Sequence, residues 1–408
     1  MPMIASLFAG CTARFEVEPA RVWTGFRRAG FGDGTLDVVA GPADAPTVLA
    51  RQYCEAQSEQ PARSDCAGEG GVVVLSFDDP SGVAADVAAT RFEERSWVYP
   101  QWVGDVDGTA GQDLASNSDG DFLLFDGASL PEHPDTADAL TLLPPGTDLA
   151  PLGACGDVDG DGHADLCLED VDRDGVAVLF GPLDHPVDEP PVASLPRAGT
   201  AVFPGDLDGD GDDEFLVDPL EAGPFAWSAG VVVALDEGDV LVDCLGPDAP
   251  FYLGFSAGDA DGDGVPDLFD GIHLLHGPSL MAPGAAGCDA LVSTTYDSGN
   301  RTVVGGATGD LDGDGVSDLV LLVRDPDTGE GELEIHRGPI PAGTFSSAHA
   351  ELVLPYGEVF SAFRAVQVAD IDGDGRDDLV VAAEAGRYGP RSANAVFVWR
   401  GPDLLPPR

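Results

Sequence analysis

The chain has 408 residues, 73 of them acidic against 19 basic, for a formal net charge of −54. So acidic a surface disfavours nucleic acid and anionic membranes as partners, and no apolar run reaches the roughly 18 residues of a membrane-spanning helix. The 43% of hydrophobic residues is ample for a core, and an internal repeat overrides the two or three domains that length alone suggests.

The chain opens with MPMIASLFAGC, a short apolar run ending in small residues before Cys11. It looks like the tail of a bacterial lipoprotein signal, although Phe8 stands where Leu is usual and no basic residue precedes the run. On that reading residues 1–11 are a signal and anchor, Cys11 carries lipid, and residues 12–408 form one domain outside the cytoplasm, on the cell surface or secreted. The other reading is a plain buried or disordered first segment. On the lipoprotein reading any contact with a membrane would run through the lipid alone, and on either reading the body is expected to be a monomer.

Next comes RFEVEP, Arg14 to Pro19, which reads as a lone strand, and then FGDGTLDVV, where only Asp33 and Asp37 remain of a pattern that becomes clear further on. A polar insertion at about 43–70 follows, bracketed by Cys54 and Cys66. The pattern is fullest in GDVDGDGHADLCL, with Asp157, Asp159, Asp161 and Asp165 at positions one, three, five and nine of a glycine-punctuated loop. Four carboxylates that close repel one another unless a cation lies among them, and hard oxygen ligands select calcium. Gly160 and Gly162 supply the sharp turns, and the carbonyl of His163 at position seven is a further candidate ligand. An EF-hand would need Glu at position twelve and flanking helices. Leu168 stands there instead, between short apolar runs, so the loop is expected to join two strands.

The same spacing returns at Asp206, Asp208, Asp210 and Glu214; at Asp259, Asp261, Asp263 and Asp267; at Asp310, Asp312, Asp314 and Asp318; and at Asp370, Asp372, Asp374 and Asp378. A sixth loop keeps Asp105, Asp107 and Asp113 but has Thr109 at position five, which predicts weaker binding. The trace at Asp33 has Ala29 and Phe31 in the first two ligand positions and is expected to stay empty, so five or six calcium ions are predicted. One such loop could be a solvated hairpin turn; five with one spacing argue for a shared ion.

First aspartates recur 52, 49, 53, 51 and 60 residues apart, a period of about fifty. Each unit reads as a strand into the loop, a strand out of it such as DLVLLV from Asp318, a third such as ELEIHRGP from Glu332, and a fourth such as LTLLPP near Leu140, VASLP near Val192 or ELVLP from Glu351. Four short strands per unit without helices predict an all-β, seven-bladed β-propeller with calcium loops between the first two strands of most blades. The last unit lacks a fourth strand and RFEVEP matches it, so the amino-terminal strand is expected to close the ring and remove the open edges.

These units resemble the FG-GAP repeats of the integrin alpha type, also called VCBS repeats. LGFSAGDADGDGVPDL from Leu253 resembles the Phe-Gly start and calcium loop of that family, and DVVAGP from Asp37 resembles its closing strand. The resemblance covers nearly the whole chain after Cys11. It implies that the carboxylates at positions one, three, five and nine ligate calcium between a blade's first two strands. Loops in six of seven units bring the chain closer to bacterial secreted members than to integrins.

Setting Cys11 aside leaves six cysteines. Cys155 and Cys167 flank one loop at equal offsets, which suits a cross-strand disulfide. Cys54 with Cys66 could staple the insertion, and Cys244 with Cys288 remain by elimination; free buried thiols are the alternative. His273 and His276 form an H-x-x-H whose members would face opposite sides of a strand and so cannot share a metal. Arg337 and Arg400, each before Gly-Pro, are expected to pair with nearby carboxylates. Trp97, Trp102, Trp227 and Trp399 read as packing aromatics rather than sugar platforms. No nucleophile motif appears. The sequence therefore points to a non-enzymatic binding or adhesion module for a protein or glycan, with a propeller enzyme acting on polysaccharide, a hydrolase or lyase, as the alternative.

Overall fold

The computed structural model describes residues 19–27, 36–39, 47–52, 71–78, 81–83, 90–92, 97–109, 111–118, 121–135, 137–140, 143, 149–170, 175–183, 195–196, 198–207, 211–219, 231–233, 255–280, 293–328, 331–355, 363–384 and 393–407. These residues form a β-propeller in which short strands dominate and the only α-helices among them are single turns.

β1 (Arg21–Arg27) stands apart from its sequence neighbours. The first sheet is β2 (Leu36–Val39), β3 (Thr47–Gln52), β4 (Gly71–Ser76) and, beyond the two-residue β5 (Gly82–Val83), β6 (Thr90–Phe92). Three strands follow as a second sheet, β7 (Trp97–Trp102), β8 (Leu114–Ser118) and β9 (Asp121–Phe125). The third holds β10 (Leu149–Gly156), β11 (Asp165–Asp170), β12 (Gly175–Leu179) and β13 (Leu195–Pro196). The fourth has β14 (Ala198–Gly205), β15 (Glu214–Pro219) and β16 (Val231–Val233). The fifth contains β17 (Phe255–Gly258), β18 (Asp267–Phe269), β19 (His273–Leu275) and β20 (Ser293–Asp297). The sixth runs β21 (Thr302–Gly309), β22 (Asp318–Arg324), β23 (Gly331–His336) and, past β24 (Thr344–Ser346), β25 (Leu352–Pro355). The last holds β26 (Phe363–Ala369), β27 (Asp378–Glu384) and β28 (Ala393–Trp399), with β1 antiparallel on β28.

Five of the seven sheets reach the four strands of a complete blade, against the seven expected. The other two show three strands among the described residues. In one, Leu140 at the start of the expected fourth strand LTLLPP bridges Leu124, and residues 141–142 and 144–145 lie outside the described residues; in the other, the stretch after β16 lies outside them as well. The strand that meets β28 is Arg21–Arg27 and not RFEVEP, of which residues 14–18 lie outside the described residues. β3 falls inside the segment read as an insertion.

Two sheets gain a fifth strand from the next unit. β5 and β24 each leave the connection between a third and a fourth strand and run parallel to the outer strand of the preceding sheet, β1 and β20 respectively. Each covers an edge whose unpaired N–H and C=O groups would otherwise invite pairing with another chain.

The first strands neighbour one another in chain order, from β2 beside β7 through β10, β14, β17 and β21 to β26, which lies back beside β2. Packing between sheets explains why DLVLLV is apolar throughout. Leu319, Leu321 and Val323 pack with Ala257, Phe269 and Tyr296 on one side. Val320 joins Leu333, Val366, Leu379 and Val381 on the other. A strand buried on both faces keeps the alternation of side chains but loses the alternation of polarity. Trp399 is fully buried and stacked on Phe397, with ring centroids 5.8 Å apart, and Trp102 is buried as well. Both fit the packing role expected of them, while the side chains of Trp97 and Trp227 lie outside the described residues.

Candidate functional site

Each acidic loop joins a first strand to a second, and the residues on either side of it pair across the ladder. Gly156 meets Asp165, Gly258 meets Asp267, Gly309 meets Asp318 and Ala369 meets Asp378. Within the loop the aspartates fold the backbone around themselves. In the 310 loop, Asp310 Oδ1 accepts N–H bonds from Gly313 (2.7 Å) and Asp314 (2.9 Å) and its Oδ2 accepts one from Gly315 (2.8 Å). Asp312 Oδ1 then accepts from Asp314, and Asp314 Oδ1 from Val316, both at 3.1 Å. The 370 loop repeats this set bond for bond. Such side-chain turns explain why every second residue is Asp. Gly313 and Gly315 have φ of 77° and 88°, a region closed to most side chains.

Position nine works differently. Asp165, Asp267, Asp318 and Asp378 are at most 1% exposed. One oxygen of each accepts from the backbone at position two: Val158, Ala260, Leu311 and Ile371. The other accepts the N–H of a glycine after the third strand: Gly181, Gly277, Gly338 and Gly401, at 2.9–3.0 Å. A side chain there would strike the carbonyl at position eight, which lies 2.6 Å from a Cβ built at Gly181 or Gly338 and about as near at the other two. The Gly-Pro that follows the third strand in these four units is therefore part of the site, and its mark in the sequence is that recurrence at Gly181, Gly277, Gly338 and Gly401.

Burial, followed by neighbouring carboxylates, pushes Asp318, Asp267 and Asp378 up to about 7, against the opposing pull of their N–H bonds. Burial likewise lifts Asp113 to about 7 and Asp165 to about 6. In three loops the carboxylates at positions one, three and nine each offer an oxygen within 4.8 Å of the others: Asp105, Asp107 and Asp113; Asp157, Asp159 and Asp165; Asp310, Asp312 and Asp318. Asp259, Asp261 and Asp263 do the same from positions one, three and five. Oxygens that close can share one ion with bonds of about 2.3–2.6 Å, so an all-oxygen donor set fits calcium. In the 206 loop, Leu207 N–H donates to Glu214 Oε2 at 2.6 Å and Gly211 N–H to Asp206 Oδ2 at 3.1 Å; Asp208 and Asp210 lie outside the described residues. At Asp105, Thr109 donates from both N–H and hydroxyl to Asp107 Oδ1, in place of the missing fifth ligand.

Neighbouring loops are tied together. Position eight of one loop donates its N–H to the position-one carbonyl of the loop before: Asp213 to Asp157, Ser317 to Asp259 and Asp377 to Asp310, at 2.7–3.0 Å. In two cases the position-eight carboxylate also accepts the N–H of that first aspartate, Asp213 from Asp157 and Asp377 from Asp310.

Arg337 bonds Asp312 and Arg400 bonds Asp372 at 2.9 Å, so both arginines pair with carboxylates as expected, and the carboxylates are the loops' own. His273 pairs with Asp270 at 2.9 Å, while His276 turns to Asp261 and holds Thr294 with its other nitrogen at 3.2 Å. The two histidines do not share a site, yet His276 lies in one cluster with Asp261 and Asp267, which strand alternation alone did not foretell. Cys155 and Cys167 form a disulfide with a Cα–Cα distance of 5.6 Å. A bulge between Ala154 and Gly156 sets Cys155 out of direct opposition to Cys167, which pairs with Gly153. Cys11, Cys54, Cys66, Cys244 and Cys288 lie outside the described residues, as does Asp33.

One further polar cluster joins the fifth and sixth sheets. Tyr296 donates to Glu334 Oε2 at 2.7 Å, His336 Nε2 lies 3.2 Å from the same oxygen, and Arg301 pairs with Glu334 Oε1 at 2.9 Å. Burial would raise Glu334, but hydrogen bonds from His336, Tyr296 and Ser347 outweigh it and hold the carboxyl down at about 2. Glu334, His336 and Tyr296 are 0–2% exposed, so this carboxylate is shut away from any substrate.

Residues 310–381 match the family described as FG-GAP-like repeat. Among solved structures, the chain is similar to one from the S. cerevisiae complex of Dbp5 bound to Nup159, Gle1, IP6 and ADP, with TM-score 0.43 and 10% identity over 94% of this chain and 95% of that one. It is similar as well to a chain from the complex of the fission yeast SREBP-SCAP binding domains, with TM-score 0.31 and 12% identity over 92% and 93%. The search of curated proteins returned no match.

Proposed function

Because this chain is an FG-GAP repeat propeller, we propose that it acts as a calcium-stabilised, non-enzymatic binding or adhesion module outside the cytoplasm, with a protein or glycan as its ligand. The observation that carries this reading is the gathering of carboxylates at positions one, three and nine, whose oxygens lie within 4.8 Å of one another in the 105, 157 and 310 loops; burial pushes the position-nine Asp318 up to about 7 and Asp165 up to about 6. The ion would supply the double positive charge that three or four carboxylates share; the loop's own residues supply the oxygens, the turns and the clasp to the third strand. Seven blades closed by the amino-terminal strand is the arrangement supported by the run of neighbouring first strands and by β1 on β28. The disulfide supports a location where thiols are oxidised.

The rival, an enzyme acting on polysaccharide, has its best candidate in Tyr296, Arg301, Glu334 and His336. That cluster is spent on joining two sheets, and a carboxylate held ionised at 0% exposure serves poorly as an acid or nucleophile. The test is a glycan and protein array probed with the calcium-loaded chain, run beside a screen for polysaccharide cleavage. Calcium-dependent capture without cleavage supports the module; cleavage that survives loss of array binding would favour the rival.

A further inference from the structure

The residue just before the third-strand glycine recurs in the same place relative to each loop, and in three loops it reaches the position-three carboxylate. Arg337 bonds Asp312, Arg400 bonds Asp372 at 2.9 Å and His276 bonds Asp261. Arg337 is 7% exposed and is steadied by a second bond, to the carbonyl of Pro406 at 3.0 Å. Arg400, 47% exposed, lies over the Phe77 ring at 4.9 Å. In the 157 loop the same place is held by Phe180, 37% exposed, which brings no charge to Asp159. In the 105 loop it is Asp126, which turns away to cap Ala128 and Ser129. Loops of nearly identical sequence therefore differ by a whole positive charge supplied from the third strand.

Resting on the calcium reading above, we propose that this residue sets the affinity of each loop for calcium. Where it is arginine, a ligand of the loop is already neutralised from within the chain, and calcium must displace the guanidinium or bind short of one carboxylate. Where it is Phe180, the full acidic set is left to the ion. The 157 loop is then a tight site, and the 310 and 370 loops are weak ones. Glycine next door helps to fix the geometry in three units: its N–H is held by position nine, and the side chain before it, His276, Arg337 or Arg400, reaches the loop.

The test is equilibrium dialysis of the full chain with radioactive calcium as the only probe. Removing a unit charge a few ångström from the ion in Arg400→Ala is expected to move one ion from the weak to the tight class, by about tenfold or more in affinity. Phe180→Arg should move one ion the other way. Arg400 is half exposed, so its removal tests the proposal even if Phe180→Arg fails to fold. Isotherms of Arg400→Ala that overlay the wild type would overturn the inference while leaving the calcium reading intact. A wild-type chain that takes up no calcium would overturn both.

Discussion

Asp318 and Glu334 lie on adjacent strands of one sheet, each at most 1% exposed, yet their carboxyls are driven in opposite directions, to about 7 and about 2. Burial raises both. Glu334 receives Arg301, Tyr296 and His336, so its charge is answered from within the chain. Asp318 receives two backbone N–H groups but also faces Asp312, and its net balance stays unfavourable to charge. The same contrast separates the 157, 259, 310 and 370 loops from the Glu334 cluster between the fifth and sixth sheets. One region is electrically finished and the other has a place for a cation.

The largest effect should come from taking that cation away. An ion that binds only the folded chain stabilises by RT ln(1 + [L]/Kd), about 1.4 kcal/mol per site at ten times Kd, so five sites would give about 7 kcal/mol, a large share of an ordinary domain's stability. Melting curves in calcium and in chelator should therefore differ widely, and superimposable curves would break the comparison. The pH dependence gives it a sign. In chelator, burial holds Asp318 near 7 in the folded state, above the ordinary carboxylate value of 3.8, so the folded chain holds the proton more tightly between those values. Metal-free stability should be greatest near pH 4 and decline as pH rises towards 7, a slope that calcium abolishes by keeping the carboxylates ionised. Glu334, lowered from 4.5 to about 2, works in reverse: its contribution is present above 4.5 and is lost as pH falls towards 2.

Glu334→Gln sharpens the contrast from the other side. It leaves Arg301 without its buried partner and should cost about 3 kcal/mol of stability. Calcium uptake per chain should stay unchanged, because no loop loses a ligand. A drop in bound calcium would mean that the Glu334 cluster and the loops are one unit.

The acidic loops, their place between first and second strands, and one disulfide were legible because each rests on spacing along the chain. Asp157 to Asp165 declares a turn and a charge problem within nine residues. The clasp of Asp318 to Gly338 was not legible, since it joins residues 20 apart through a backbone N–H, and its one mark, the recurring glycine, does not say which carboxylate that N–H meets. The Tyr296–Glu334 contact spans 38 residues and two sheets, and a strand pattern says nothing of which polar side chain will meet which. The start of the fourth strand was legible at Leu140, which bridges Leu124.

The clasp itself can be broken without touching a charge. In Gly338→Ala the new Cβ would lie 2.6 Å from the Ser317 carbonyl and 2.8 Å from Val316, so the strand end must move away and the N–H bond to Asp318 must lengthen. About 2 kcal/mol of stability should be lost, and the 310 loop should bind calcium more weakly while the 157 loop is unaffected. An equal loss at both loops would show that the glycine acts on the whole ring.

The smallest difference is expected where the pattern has already decayed. Asp159→Ala removes a carboxylate from a cluster whose oxygens lie within 4.8 Å of one another, and should release one ion per chain at a cost of about 1.4 kcal/mol under the same conditions. Asp33→Ala alters a stretch whose sequence has Ala29 and Phe31 at the first two ligand positions, so it is expected to release no ion. Elemental analysis of the two variants after dialysis against the same calcium buffer separates them: one ion fewer in the first, none in the second. Equal losses would mean that bound calcium follows the overall acidity of the surface rather than the spacing of carboxylates, and the loops and the Glu334 cluster would no longer differ in kind.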